Sequence, residues 1–303
     1  MTNQPFDHSR SYPSGVGTIA YPWGPVLTDQ AGTVHHHDMV YVARMGYRPL
    51  TLDLAIPRHV PGVRLPVIVH VHGGGWVWGW NKRVSVNFND EHIFEQFAAA
   101  GFAVARIDYQ KAWEANAETM ALQVRAAIRW LRHYAADFDL DPGRIATFGE
   151  SAGGHLVLLA AYSTRLDGLE KLGDFGDEDE SVQAIVDWYG VSDIDALAAT
   201  ETADPEYPES PFPKLIESTG VGYREISPLY LVRPGLPATC LIHGDADTDV
   251  PVDQSRRLFA ALQAAGVDSE YLEVPEVGHV FTGCDHVQEL VGHTIAFLRS
   301  RLG

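Results

Sequence analysis

A chain of 303 residues, 46% hydrophobic and 20% charged, is long enough to bury the core of one large α/β domain. Its 40 acidic and 22 basic side chains leave a formal net charge of −18, which repels nucleic-acid phosphates and anionic lipid headgroups and argues against both as partners. No apolar run approaches the ~20 residues of a membrane span, two cysteines are too few for a disulfide framework, and residues 1–7 lack the basic start and apolar core of a signal peptide, so the expected location is cytoplasmic.

Short apolar runs alternate with helix-period segments, the rhythm of a mainly parallel sheet with helices on both faces. Val34–Val42 and Leu50–Ile56 read as two strands joined at Met45-Gly46-Tyr47 and paired antiparallel. The three histidines His35, His36 and His37 fall in the first of these. Alternate residues share a face there, so a surface strand is a better reading than a metal site. Val67–His72 follows as an internal strand, then a helix over Asp90–Ala100 ended by Gly101, then a strand over Phe102–Asp108. Ala117–Tyr134 is the clearest helix: Met120, Val124, Ala127, Ile128 and Leu131 recur at spacings of three and four, and Asn116 can cap it. Ile145–Phe148 and Ala184–Tyr189 are the fifth and sixth strands. Asp174 to Glu180 is an acidic run read as a solvated loop. Thr200 to Ile226 carries Pro205, Pro208, Pro211 and Pro213, which forbid a regular helix or internal strand. We read residues 191–227 as a cap inserted after the sixth strand. Ala238–His243, with Cys240 in its buried run, and Tyr271–Val274 complete eight strands. Helices are expected over Val252–Ala265 and Val287–Leu302.

Chemistry enters at Gly149-Glu150-Ser151-Ala152-Gly153, between a strand and a helix. Gly-x-Ser-x-Gly in that context is a nucleophile elbow: a turn so sharp that the serine is strained and its neighbours two positions away need minimal side chains. The amide of Ala152 then opens a helix and can donate to a developing oxyanion. Upstream, His72-Gly73-Gly74-Gly75-Trp76 leaves the end of a strand. Three glycines in a row are entropically costly and imply close backbone approach, with Gly74 and Gly75 as further oxyanion donors. His72 is read as holding this loop by hydrogen bonding. His155, one turn after Ser151, is read as a core histidine, and Trp76, Trp78 and Trp80 either line a substrate pocket or simply pack.

A serine hydroxyl needs a base, and in this architecture the order is serine, acid, histidine. Asp247 in His243-Gly244-Asp245-Ala246-Asp247-Thr248-Asp249 is the preferred acid, with Asp245 and Asp249 as competitors. His279, just past the last strand, is the preferred base over His286, which begins the final helix.

The glycine loop, the elbow, Asp141-Pro142-Gly143-Arg144-Ile145 and the His243–Pro251 segment together resemble the α/β-hydrolase fold. More narrowly they are similar to the esterase/lipase group that includes hormone-sensitive-lipase-like esterases and bacterial feruloyl and acetyl-xylan esterases. The resemblance runs over roughly residues 30 to 300. It implies an α/β-hydrolase fold with a mostly parallel eight-stranded twisted sheet, and the absence of repeats or linker-like boundaries makes residues 1–303 a single domain. It also implies a Ser151–Asp247–His279 triad and Gly74, Gly75 and Ala152 as the oxyanion hole. The implied function is hydrolysis of short- to medium-chain, aryl or sugar-linked carboxylic esters through an acyl-enzyme. The partner would be a small-molecule ester, with no metal and no organic cofactor required. An arylformamidase-type amide hydrolase with the same triad is the alternative, and a non-catalytic binding protein on this scaffold is a third reading. One departure stands out: after Asp108-Tyr109, Gln110-Lys111 replaces the usual arginine–leucine.

Overall fold

The computed structural model describes residues 25–44, 46–79, 92–200 and 210–303. The expectations placed on residues 1–7, Met45, Trp80, Asp90, Pro205 and Pro208 lie outside the described residues.

Among the described residues the sheet has nine strands rather than eight, in the order β1-β2-β3-β5-β4-β6-β7-β8-β9. The additional strand is β1 (Val26–Thr28), paired antiparallel with β2 (Val34–Val42) across a turn in which Thr33 N–H donates to Asp29 Oδ1 at 2.9 Å. All three of its residues are exposed, so no buried face marks it in the sequence. β2 pairs antiparallel with β3 (Leu50–Ile56), and β3 with β5 (Ala103–Ile107). From β5 onward every pairing is parallel, through β4 (Leu65–Val71), β6 (Leu140–Glu150), β7 (Ala184–Trp188), β8 (Ala238–Gly244) and β9 (Ser269–Val274).

The inner parallel strands are apolar runs because both faces are covered. Along β4, Val67, Val69 and Val71 face one hydrophobic core and Ile68 faces another. The first core takes α2 (Ala117–His133), α3 (Ala152–Tyr162) and α6 (Asp253–Ala264); the second takes α1 (Ile93–Ala99) and α7 (Val287–Leu302). Every chain segment leaving a parallel strand therefore emerges at one edge of the sheet, where the candidate site lies.

Helix α2 is capped as expected, Asn116 accepting from Thr119 N–H, but it is buried well beyond its apolar stripe. Part of the cause is the acidic run, which is anchored rather than merely solvated. Glu180 accepts from Arg125 and from the fully buried Arg129, and Arg132 donates to the backbone carbonyls of Asp179 and Ser181. Buried guanidinium groups need such partners, so the loop closes over the outer side of the helix. At the opposite edge from the site, Arg144 ties β6 to the chain end through the Gly303 carbonyl at 2.9 Å and to Arg64 O at 2.7 Å. Cys240 is buried, Cys284 half-buried, and both are free. Among the described residues no helix is long and apolar enough to cross a membrane.

Candidate active site

Ser151 sits between β6 and α3 with φ 53° and ψ −121°, a conformation that costs an L-residue about 1–3 kcal/mol. Surrounding backbone holds it there. Ser151 N–H donates to Trp188 O at 2.9 Å, and three glycines let the chains close in. A Cβ on Gly149 would overlap Gly153 O, one on Gly153 would overlap Val71 O and stand 2.6 Å from His72 O, and one on Gly154 would overlap Asp187. Gly149 and Gly153 are thus required for the reason the motif suggests; Gly154 was not anticipated.

The loops after β8 and β9 bring an acid and an imidazole to the serine. His279 Nε2 lies 3.1 Å from Ser151 Oγ, and its Nδ1 lies 2.7 Å from Asp247 Oδ2. With Asp247 ionised, Nδ1 carries the proton and Nε2 is left to accept from the serine hydroxyl. Asp247 Oδ1 accepts from the N–H groups of Asp249 and Val250 at 3.0 and 2.8 Å. Burial works against the charge on this carboxylate. The hydrogen bonds from His243 and His279 win, and its pKa comes down to about 2. The competing residues are elsewhere: Asp245 is exposed and accepts from Glu276 N–H at 2.6 Å, Asp249 is exposed, and His286 precedes α7 and pairs with Asp285.

The glycine loop lies against the elbow. A Cβ on Gly73 would stand 2.9 Å from Glu150 O and 3.2 Å from Ser151 Cβ. Gly74 adopts φ 109° and its carbonyl accepts from the N–H groups of Val77 and Trp78 at 3.0 and 2.8 Å, closing a tight turn that also puts Trp76 at φ 61°. His72 holds the loop as anticipated, with Nδ1 2.7 Å from Gly73 O. Trp76 is buried and its Nε1–H donates to His155 Nδ1 at 3.1 Å, while His155 Nε2–H donates to Ile226 O at 2.8 Å. His155 is therefore a core histidine, and it links the glycine loop to the end of the proline-rich insertion. Phe212 from that insertion packs edge-on to Trp76, ring centroids 5.9 Å apart. Trp78 is 58% exposed.

Three supporting groups went unrecognised in the sequence. His243 is fully buried; its Nε2–H reaches Asp247 Oδ2 (3.2 Å) and Val250 O (2.8 Å), and Ser255 Oγ donates to its Nδ1 at 2.7 Å. Tyr189, at φ 43°, packs its ring 5.1 Å from that of His279 and donates its hydroxyl to Glu150 Oε2 at 3.0 Å. Glu150 also lies 3.4 Å from the buried His70. The only sequence signal for any of them is adjacency to a motif. The histidine triplet is a surface strand, His35 pairing with Asp29 and His37 with Asp53, while His36 packs on Phe138. Beyond the glycine loop, at the same edge of the sheet, a cavity of about 380 Å³ is lined by Arg44, Tyr47, Gln110, Trp113 and Asn116 among others.

The BD-FAE family model matches residues 52–262. Esterase LipQ of Mycobacterium tuberculosis is 30% identical over 233 residues, covering 74% of this chain and 52% of LipQ. The chain thus spans about half the length of that relative. A truncated carbohydrate esterase from gut microbiota superposes with a TM-score of 0.74 at 24% identity, over 92% of this chain and 96% of that one, a likeness of fold. Esterase 2 of Thermogutta terrifontis, phosphonylated by sarin, superposes with a TM-score of 0.70 at 25% identity over 86% and 92%.

Proposed function

Because this chain belongs to the BD-FAE family of α/β-hydrolase fold, we propose that it is a serine carboxylic-ester hydrolase working through an acyl-enzyme. Ser151 is the nucleophile, His279 its general base and Asp247 the group that orients and charges-balances His279. The observation that carries this reading is the hydrogen-bonded line from Ser151 Oγ through His279 to Asp247.

In the reaction, His279 Nε2 takes the hydroxyl proton as Ser151 attacks the ester carbonyl. The N–H groups of Gly74, Gly75 and Ala152 hold the oxyanion, each such donor being worth about 3–4 kcal/mol in the transition state. The alcohol leaves with the proton from His279. Water then repeats the sequence on the acyl-enzyme and frees the acid. No step calls for a metal or an organic cofactor. The described residues of 191–227 act as a cap of the single domain, a role supported by the Phe212–Trp76 packing and the Ile226–His155 hydrogen bond. The substrate is a small-molecule ester of short to medium acyl length, aryl and sugar-linked esters included, as the carbohydrate-esterase neighbour suggests. A cytoplasmic setting fits two unpaired thiols. The formamide alternative is not retained, since the relatives reported above carry esterase names.

The test is hydrolysis of p-nitrophenyl acetate and butyrate, with labelling by a fluorophosphonate. Ser151→Ala should lower kcat by about a thousandfold or more and abolish labelling. Activity unchanged in that variant would refute the assignment.

A further inference from the structure

We infer that Lys111 is a positioning residue for the oxyanion loop, acting through His72 on the peptide unit that carries the Gly74 N–H. The inference rests on the preceding reading that this N–H binds the oxyanion.

Lys111 belongs to the segment in which this chain departs from the pattern of the resembling family, so nothing in the motif assigns it a role. Its side chain is 15% exposed, and its ammonium group meets three acceptors: His72 Nε2 at 3.0 Å, Asp108 Oδ1 at 3.1 Å and Tyr109 O at 2.9 Å. An ammonium has three hydrogens and no lone pair. His72 Nε2 must therefore offer its lone pair to Lys111, and the ring proton must sit on Nδ1. That N–H faces Gly73 O at 2.7 Å and donates to it. Removing the ammonium frees Nε2 to take the proton toward Asp108, 3.7 Å away, and the Nδ1 lone pair would then oppose the Gly73 carbonyl.

The consequence reaches the reacting atoms through covalent geometry alone. Gly73 C=O and Gly74 N–H belong to one planar peptide, pointing in opposite directions across it. Fixing the carbonyl fixes the N–H. Glycine has no side chain to resist rotation of that plane, so an external anchor matters most here. His72 is itself rigid: its ring stacks on Tyr109 with centroids 4.4 Å apart, Tyr109 O–H donates to His72 O at 3.0 Å, and Gly79 packs against its Nδ1 edge. Asp108 is in turn held by Arg48, which also binds Glu114, so Lys111 caps a braced cluster.

The experiment measures kcat and KM for p-nitrophenyl acetate in Lys111→Met, Lys111→Gln, His72→Phe and the Lys111→Met/His72→Phe double variant. Ser151→Ala serves as the control for the underlying reading. We expect Lys111→Met to lose about tenfold or more in kcat with KM changed less than about twofold, because the group acts on the transition state and not on substrate binding. Lys111→Gln, whose amide N–H can still donate to Nε2, should recover most of the loss. The double variant should be no slower than His72→Phe, since a group acting through His72 has nothing to act on once it is gone. A kcat within about twofold of wild type in Lys111→Met, a loss confined to KM, or multiplying losses in the double variant would overturn the inference. Should Lys111→Met fail to fold, Lys111→Ala, which likewise has no donor for His72 Nε2, takes its place under the same criteria. An inactive Ser151→Ala beside a fully active Lys111→Met sinks this inference alone; an active Ser151→Ala sinks both.

Discussion

Replacing Asp247 by asparagine should leave the fold standing and remove nearly all turnover, and the geometry says why the amide cannot rescue itself. One side of the carboxylate faces two N–H donors, from Asp249 and Val250, at 3.0 and 2.8 Å. The other faces ring nitrogens of His279 and His243 at 2.7 and 3.2 Å. An asparagine must turn its oxygen to the two backbone donors, which leaves its NH₂ against His279 Nδ1. That nitrogen then becomes the acceptor, its proton moves to Nε2, and His279 can no longer receive the hydroxyl proton of Ser151. A wrong-tautomer base costs about 10³–10⁴ in kcat, or roughly 4–5.5 kcal/mol. A second, separable effect falls on stability. The Asp247 carboxyl titrates near 2 in the folded chain against an ordinary 3.8, so its ionised form contributes about 2 kcal/mol to folding. A depressed carboxylate pKa gives stability that is fully present above pH 3.8 and lost as pH falls toward 2. Urea unfolding should therefore show the wild type ahead of Asp247→Asn at pH 7, with the gap closing toward pH 2. Steady-state hydrolysis of p-nitrophenyl acetate reads the first effect. A folded Asp247→Asn that keeps more than about a tenth of wild-type kcat would refute the tautomer argument and return Asp245 and Asp249 to contention.

Other outcomes follow from single contacts. Gly153→Ala should fail to fold or lose activity outright, because its Cβ would overlap the Val71 carbonyl, whereas Gly168→Ala, with open space around it, should melt as the wild type does; equal melting temperatures for both would contradict the packing. Glu180→Gln should destabilise by roughly 3 kcal/mol, since the buried Arg129 loses its charge partner, and a urea midpoint unchanged from wild type would show the acidic loop to be dispensable. Burial pushes the His155 imidazole down to about 4, so the unfolded chain binds a proton below pH 6.5 that the folded one refuses. Folding stability should therefore fall by about 2 kcal/mol between pH 7 and 5 on this account, a loss absent from His155→Gln; parallel pH profiles of the two would exclude it.

What the sequence made legible and what it hid divide along a physical line. The triad candidates and the paired glycines of the elbow were readable because each depends on a residue type that little else can replace: a hydroxyl, an imidazole, the lack of a Cβ. Parallel strands were readable because burial on both faces writes an apolar run, as in β4. Strand β1 left no such mark, being exposed at all three residues and held by backbone bonds that any sequence can make. The acidic run misled for the opposite reason: charge alone suggests solvent, and only the fold shows Arg125 and Arg129 beneath it. His243 and Tyr189 were hidden because Tyr189 works across the sheet edge, 39 and 90 residues from its partners Glu150 and His279, and His243 is buried within the turn it stabilises. Lys111 belongs to this last class. Its neighbours His72 and Asp108 are unremarkable along the chain, and its three acceptors converge only where the ends of β4 and β5 meet, Val71 being in register with Ile107. A residue whose function is to fix another's tautomer has no composition or period of its own. It becomes visible when donors and acceptors are counted around one imidazole, and the count around His72 leaves a single placement for its proton.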